Sequence, residues 1–153
     1  MKFVKYEYNN AFKVIPNGIR KSLEAELKEL NPSPSDYTRK LRVKILDTLT
    51  KKGWSDPIRI SLETKITITS NFKEIGLCLQ TGNVGRFYAD LLKLQTLFCS
   101  KKIRAGIYII PTKLEAKRIG SNIANYERIV DELQVFSDTL TIPLIVYGFE
   151  RRG

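Results

Sequence analysis

The sequence predicts an α/β fold, a mixed β-sheet of about five strands flanked by helices, on three observations. Amphipathic helical stripes lie on both sides of a central cluster of short β-prone runs. The run 74–80 leads through a tight Gly82-Asn83 turn into a further helix, and a near-continuous apolar run at 106–110 follows that helix. Strand, helix and strand in that order imply a parallel pair joined by a crossover.

Residues 17–30 place Ile19, Leu23, Leu27 and Leu30 at helical spacing, and the Pro/Ser stretch 31–36 ends that helix. A second helix, 37–52, has Ser35 or Asp36 as its cap, an apolar stripe of Leu41, Ile45, Leu46 and Leu49, and Gly53 as its stop. Its other face carries Arg39, Lys40, Arg42, Lys44, Lys51 and Lys52. Three strands follow at 58–63, 65–70 and 74–80, the last two forming an antiparallel hairpin turned at 71–73. Helix 84–99 turns Val84, Phe87, Tyr88, Leu91, Leu94 and Phe98 inward, and strand 106–110 comes next. Asn125 or a neighbour starts a helix bearing Tyr126, Ile129, Val130, Leu133 and Phe136, and 142–149 closes the chain as a strand interrupted by Pro143. The predicted order is α-β-β-β-α-β-α-β.

A length of 153 residues with 42% hydrophobic content supports one core, hence a single domain over 1–153. The formal net charge of +10 predicts attraction to a polyanion, which nucleic acid supplies most often. There is no histidine, which removes Ser-His and Cys-His nucleophiles, histidine bases and nearly every catalytic zinc site. Any catalysis must rest on carboxylates, lysine, tyrosine or a metal held by oxygen. Two cysteines, Cys78 and Cys99, fit a reducing cytoplasm rather than a disulfide framework. No run has the length of a signal peptide core or a membrane span, so the expectation is a cytoplasmic protein with no membrane and no organic cofactor.

The strand 74–80 carries the chemistry. Ile75, Leu77 and Leu79 share one face by alternation, which leaves Glu74, Gly76, Cys78 and Gln80 on the other. The segment from Ile68 through Gln80, with Asn83 behind it and the helix carrying Asp90-Leu91-Leu92-Lys93-Leu94, resembles the BglII-like and BstYI-like type II restriction endonucleases of the PD-(D/E)XK superfamily. The resemblance implies a restriction endonuclease-like fold, double-stranded DNA as partner, a homodimer, and Mg²⁺ as the cofactor of any cleavage. It also implies site positions. Gln80 stands where that branch replaces the superfamily's lysine with glutamine. Cys78 stands at the place of the metal-binding glutamate, and Thr69 at that of the aspartate, so both acids are absent.

Mg²⁺ is a hard ion that takes near-octahedral oxygen coordination, usually through one or two carboxylates. Threonine hydroxyl and cysteine sulfur are poor replacements. Without the ion a site loses its activated water and its clamp on the charge that builds at phosphorus. Two sets of acids offer substitutes: Glu74, four residues before Cys78, as a displaced metal ligand, or Glu63-Thr64-Lys65, a literal Glu-x-Lys with Asp56 upstream, with Glu63 as ligand and Lys65 as partner. Alternating charge is also what a half-exposed strand carries.

For DNA contact, Asn83 corresponds to a polar residue that family members place near the recognition bases, although Gly82-Asn83 is equally an ordinary turn and cap. Arg86, in a helix's first turn, does not help the helix dipole and suits a phosphate. Lys93 and the Lys101, Lys102, Arg104 cluster are further phosphate candidates, and Glu24 of the first helix is a weaker site candidate. Three functions stay open: a DNA-binding protein with a degenerate cleavage centre, an active Mg²⁺-dependent endonuclease using Glu74 or Glu63 with Lys65, and a non-catalytic subunit or protein-binding module.

Overall fold

The structure is a computed structural model in which residues 1–33 and 38–152 are described. Among the described residues seven strands and six α-helices run in the order β1 (Lys2–Tyr8), α1 (Ala11–Val14), α2 (Asn17–Glu29), α3 (Thr38–Lys51), β2 (Ile58–Arg59), β3 (Thr67–Ile68), β4 (Ser70–Phe72), β5 (Ile75–Leu79), α4 (Gly85–Cys99), β6 (Ala105–Pro111), α5 (Lys113–Ile119), α6 (Tyr126–Leu133) and β7 (Leu144–Glu150). The expected caps Ser35 and Asp36, with Tyr37, lie outside the described residues. The helix after them and its leucine stripe stand as expected, with Leu41, Ile45 and Leu49 buried.

A five-stranded mixed sheet has the order β1-β7-β6-β5-β4. β5, β6 and β7 are mutually parallel, and β1 and β4 close the edges antiparallel to them. The parallel pair joined through α4 is the crossover the sequence predicted. β2 and β3 form a separate two-residue ladder.

Both faces of the sheet are covered. On one, Leu23, Leu27, Leu41 and Ile45 of α2 and α3 meet Ile75, Leu77, Leu79, Ile107 and Tyr147. On the other, Phe87, Leu91 and Leu94 of α4 and Ile129 and Leu133 of α6 meet Cys78, Tyr108 and Val146. All five residues of β5 are therefore buried, so the face that carries Gly76 and Cys78 packs beneath α4. Gly76 explains how α4 comes so close: a Cβ there would sit 2.8 Å from Ile103 Cδ1 and 3.1 Å from Leu94 Cδ2.

Three sequence expectations are corrected. The strands expected at 58–63 and 65–70 shrink to two residues each, with 61–66 forming an exposed loop between them. The hairpin turn falls at Lys73-Glu74, both in the left-handed region, rather than at 71–73. β1 and α5 were not anticipated at all. β1 mixes Lys2, Lys5 and Glu7 with Phe3, Tyr6 and Tyr8 and pairs along its whole length with β7.

Candidate nucleic-acid interface

The carboxyl end of β5 opens into a cleft of about 650 Å³ whose walls are α3 on one side, residues 55–57 and 67–69 on another, and the first half of α4 on the third. Arg42, Asp56, Thr69, Gln80, Arg86, Asp90 and Lys93 all line it. Open parallel sheets place ligands at the carboxyl ends of their strands, and the geometry here follows that rule.

Gln80 follows β5 directly, with its backbone N–H donating to Ile109 O at 2.9 Å. Its side chain is held at both ends: Nε2 donates to Asp90 Oδ2 at 2.6 Å, and Oε1 accepts from Gly82 N at 2.8 Å. Asp90, only 7% exposed, projects from the second turn of α4. It also accepts from Tyr108 OH at 3.2 Å on Oδ2 and from Lys93 Nζ at 3.0 Å on Oδ1. The i, i+3 spacing of Asp90 and Lys93 sets both on one face of the helix.

Thr69 sits in the break between β3 and β4. Its Oγ1 accepts from Leu79 N at 2.9 Å, supplying the acceptor that β4, which begins only at Ser70 opposite Leu77, does not provide. Cys78 is 1% exposed and points into the apolar layer under α4. Burial, reinforced by the nearby Asp90 charge, pushes its thiol well above the ordinary range, so it stays protonated. The same two causes raise the Tyr108 phenol. Arg42 donates to Leu79 O at 2.5 Å from the opposite wall; burial lowers its pKa while Asp90 opposes that shift.

The remaining sequence candidates separate. Glu63 and Lys65 lie in the exposed 61–66 loop, not on a strand face, and neither lines the cleft. Glu74, in the left-handed turn before β5, is at the opposite end of the strand from Gln80, about 20 Å away at ~3.3 Å per residue. The turn, not the strand alternation, sets its direction. Lys101, Lys102 and Arg104 occupy the same far end, where Arg104 N donates to Glu74 O at 2.9 Å. Arg86 and Lys93 do reach the cleft. Asn83 is exposed beside it, and its neighbours Val84 N and Gly82 O bond to Asn122 O and Ala124 N at 3.0 and 2.9 Å, which ties that turn to residues 122–124. Glu24 is committed elsewhere, bonding Lys5 at 2.9 Å and Tyr147 at 3.0 Å.

Sequence reasoning missed Asp90 as a site residue. The signal was available: an aspartate in the otherwise apolar stripe containing Phe87, Leu91 and Leu94 is a buried charge, and buried charges are partnered.

Does this donor set suit the hard divalent ion that the fold family implies? Among the described residues no group of three or more histidine, cysteine, aspartate or glutamate side chains is placed to hold one. Asp90 meets hydrogen-bond donors at both oxygens, Thr69 Oγ1 is a neutral acceptor already in use, and Cys78 is a protonated thiol inside the core. Asp56, the other carboxylate lining the cleft, is exposed on the 55–57 wall and belongs to no group of three. The residues at the metal positions the resemblance implies do not fit the ion.

The architecture is a five-stranded mixed sheet covered by helices on both faces, and solved structures share this fold. Restriction endonuclease BglII complexed with a DNA 16-mer superposes with a TM-score of 0.84 at 16% identity, covering 97% of this chain and 76% of that one. Free BglII gives 0.77 at 19% identity over 99% and 81%. No curated protein matches by sequence at a significant level. The family model described as restriction endonuclease BglII/BglIII matches residues 3–149, so the chain belongs to that family of DNA-binding nucleases.

Proposed function

We propose that this protein binds double-stranded DNA in the cleft at the carboxyl end of β5 and that its cleavage centre is degenerate, binding without efficient Mg²⁺-dependent hydrolysis. The observation that carries this reading is Asp90, whose two oxygens are taken by Gln80, Tyr108 and Lys93 while Thr69 and Cys78 supply no carboxylate. Lys93 supplies a fixed positive charge beside Asp90. Arg42, Arg86 and Lys93 line one cleft, and the positive end of α4 points into it. BglII itself is solved in complex with a DNA 16-mer, which supports DNA as the ligand of a chain that shares its fold.

Supercoiled plasmid incubated with the protein and Mg²⁺ or Mn²⁺ tests the catalytic half of the proposal. Plasmid that stays supercoiled is the expected result; linear product that disappears in Asp90→Asn would show a working centre built on helix α4 instead.

A homodimer is the second part of the proposal. Leu92 and Val135 are 58% and 78% exposed around a small apolar groove lined by Tyr88, Leu91, Phe136 and Leu140. A second copy covering this surface removes that apolar area from water. Light scattering should give a dimer mass that falls to the monomer in Leu92→Lys.

A further inference from the structure

Four cations gather at the end of the sheet that faces away from the cleft. Lys73 occupies the β4–β5 turn and Lys101, Lys102 and Arg104 the α4–β6 turn, and the Arg104 N to Glu74 O bond of 2.9 Å ties the two turns together. All four are exposed. Lys101 and Lys102 follow the carboxyl end of α4 and favour its dipole there, but Lys73 and Arg104 lie off that helix and gain nothing from it. Of the four, only Lys73 has a side-chain partner among the described residues, the face of Phe72 at 5.3 Å. Lys73 and Lys101 also adopt φ of 48° and 59°, a left-handed backbone uncommon for lysine. Asparagine or glycine would fit these turns with less strain, so the lysines are not explained by turn geometry. The sole acid in these turns is Glu74, which leaves the patch strongly positive.

β5 and β6 run from this patch to the cleft, so the two positive surfaces are separated by the full length of the strands. The separation, about 20 Å along the strands, puts the far turns at the opposite pole from the cleft.

We infer that this far pole, Lys73 with Lys101, Lys102 and Arg104, is a second DNA surface that holds the phosphates of a separate duplex without reading its sequence. The inference rests on the proposed cleft only in that the first duplex occupies it. Lysine and arginine on exposed turns suit phosphate contact, and such contacts position a duplex without carrying sequence information.

The test uses two duplexes, one immobilised on beads and one free and fluorescent, mixed through the intact protein at 50 mM salt. Wild type is expected to retain the fluorescent duplex. The variant Lys101→Asn, Lys102→Glu, Arg104→Glu, with asparagine chosen because it tolerates the left-handed position, is expected to bind the immobilised duplex normally and retain the second at least tenfold less. Circular dichroism on the variant confirms folding. Both proteins are compared in the Leu92→Lys background, where each monomer has one cleft and cleft-to-cleft bridging is removed, so undiminished retention in the charge variant would overturn the inference. Wild type that binds the beads without retaining the second duplex overturns it equally while leaving the cleft proposal intact. Wild type that binds neither overturns both.

Discussion

The amide of Gln80 and the carboxylate of Asp90 meet at 2.6 Å at the floor of the cleft, joining the end of β5 to the second turn of α4. The bond makes Asp90 a structural acceptor. Replacing it with leucine strands the Gln80 amide and the Tyr108 hydroxyl in a buried setting and frees Lys93, at an expected cost of about 3 kcal/mol. Asp90→Asn keeps one acceptor and should cost about half as much. Urea unfolding of both variants checks the order, and equal stability would deny Asp90 this role.

Restoring the two missing acids should create what the cleft lacks. In the double variant Thr69→Asp, Cys78→Glu the new carboxylates stand close to Asp90, because Cys78 and Thr69 flank the same strand end. Like charges so placed repel. The double variant should therefore melt lower than wild type in chelator and recover with Mn²⁺, whereas wild type should show no Mn²⁺-dependent shift.

Charge removal in the cleft should act through salt. Arg86, exposed in the first turn of α4, contacts phosphate in the proposed complex, so Arg86→Ala should make the slope of log affinity against log salt shallower by about 0.9. Fluorescence anisotropy at several salt concentrations measures it, with an unchanged slope arguing against phosphate contact at this residue.

The two thiols should differ sharply. Cys99 is exposed and Cys78 is buried with its pKa pushed up by desolvation, so a thiol reagent should label one cysteine in the native protein and two in denaturant. Rapid labelling of both in native buffer would contradict the burial of the β5 face.

Alkaline pH should unfold the protein through its buried phenols. Burial raises the folded pKa of Tyr108 and of Tyr147, each further raised by a neighbouring carboxylate, Asp90 and Glu24 respectively. A raised folded pKa means the folded state keeps protons that the unfolded chain gives up. The contribution is whole below the ordinary phenol value of about 10 and is lost as pH rises beyond it. Denaturation midpoints measured from pH 8 to 11 should fall above pH 10, less steeply in Tyr147→Phe.

Much of the fold was legible because its periodicities are strong. The apolar run of β6 is buried throughout, and Leu41, Ile45 and Leu49 of α3 and Phe87, Leu91 and Leu94 of α4 are buried as their spacing named, while Leu46, Val84, Tyr88 and Phe98 are half-buried at the margins. β1 escaped because Lys2, Lys5 and Glu7 interrupt its apolar pattern, as suits an edge strand, and its partner β7 is more than a hundred residues away. The site was half legible. Family resemblance pointed to Thr69, Cys78 and Gln80, and Arg86 and Lys93 join Gln80 and Thr69 at one cleft. Glu74 and the Glu63, Lys65 pair looked like substitutes only while their segments read as continuous strands. A left-handed turn and an exposed loop send them elsewhere. The role of Asp90 as partner of Gln80 depends on how α4 crosses the sheet, a tertiary relationship that strand alternation does not encode.

Metal dependence of duplex binding tests the central claim most directly. Anisotropy of a labelled duplex titrated with the protein in chelator, and again with Mg²⁺, should give the same affinity, weakening steeply as salt rises from 50 to 200 mM because lysine and arginine alone meet the phosphates. Binding that appears only when Mg²⁺ is added would contradict it.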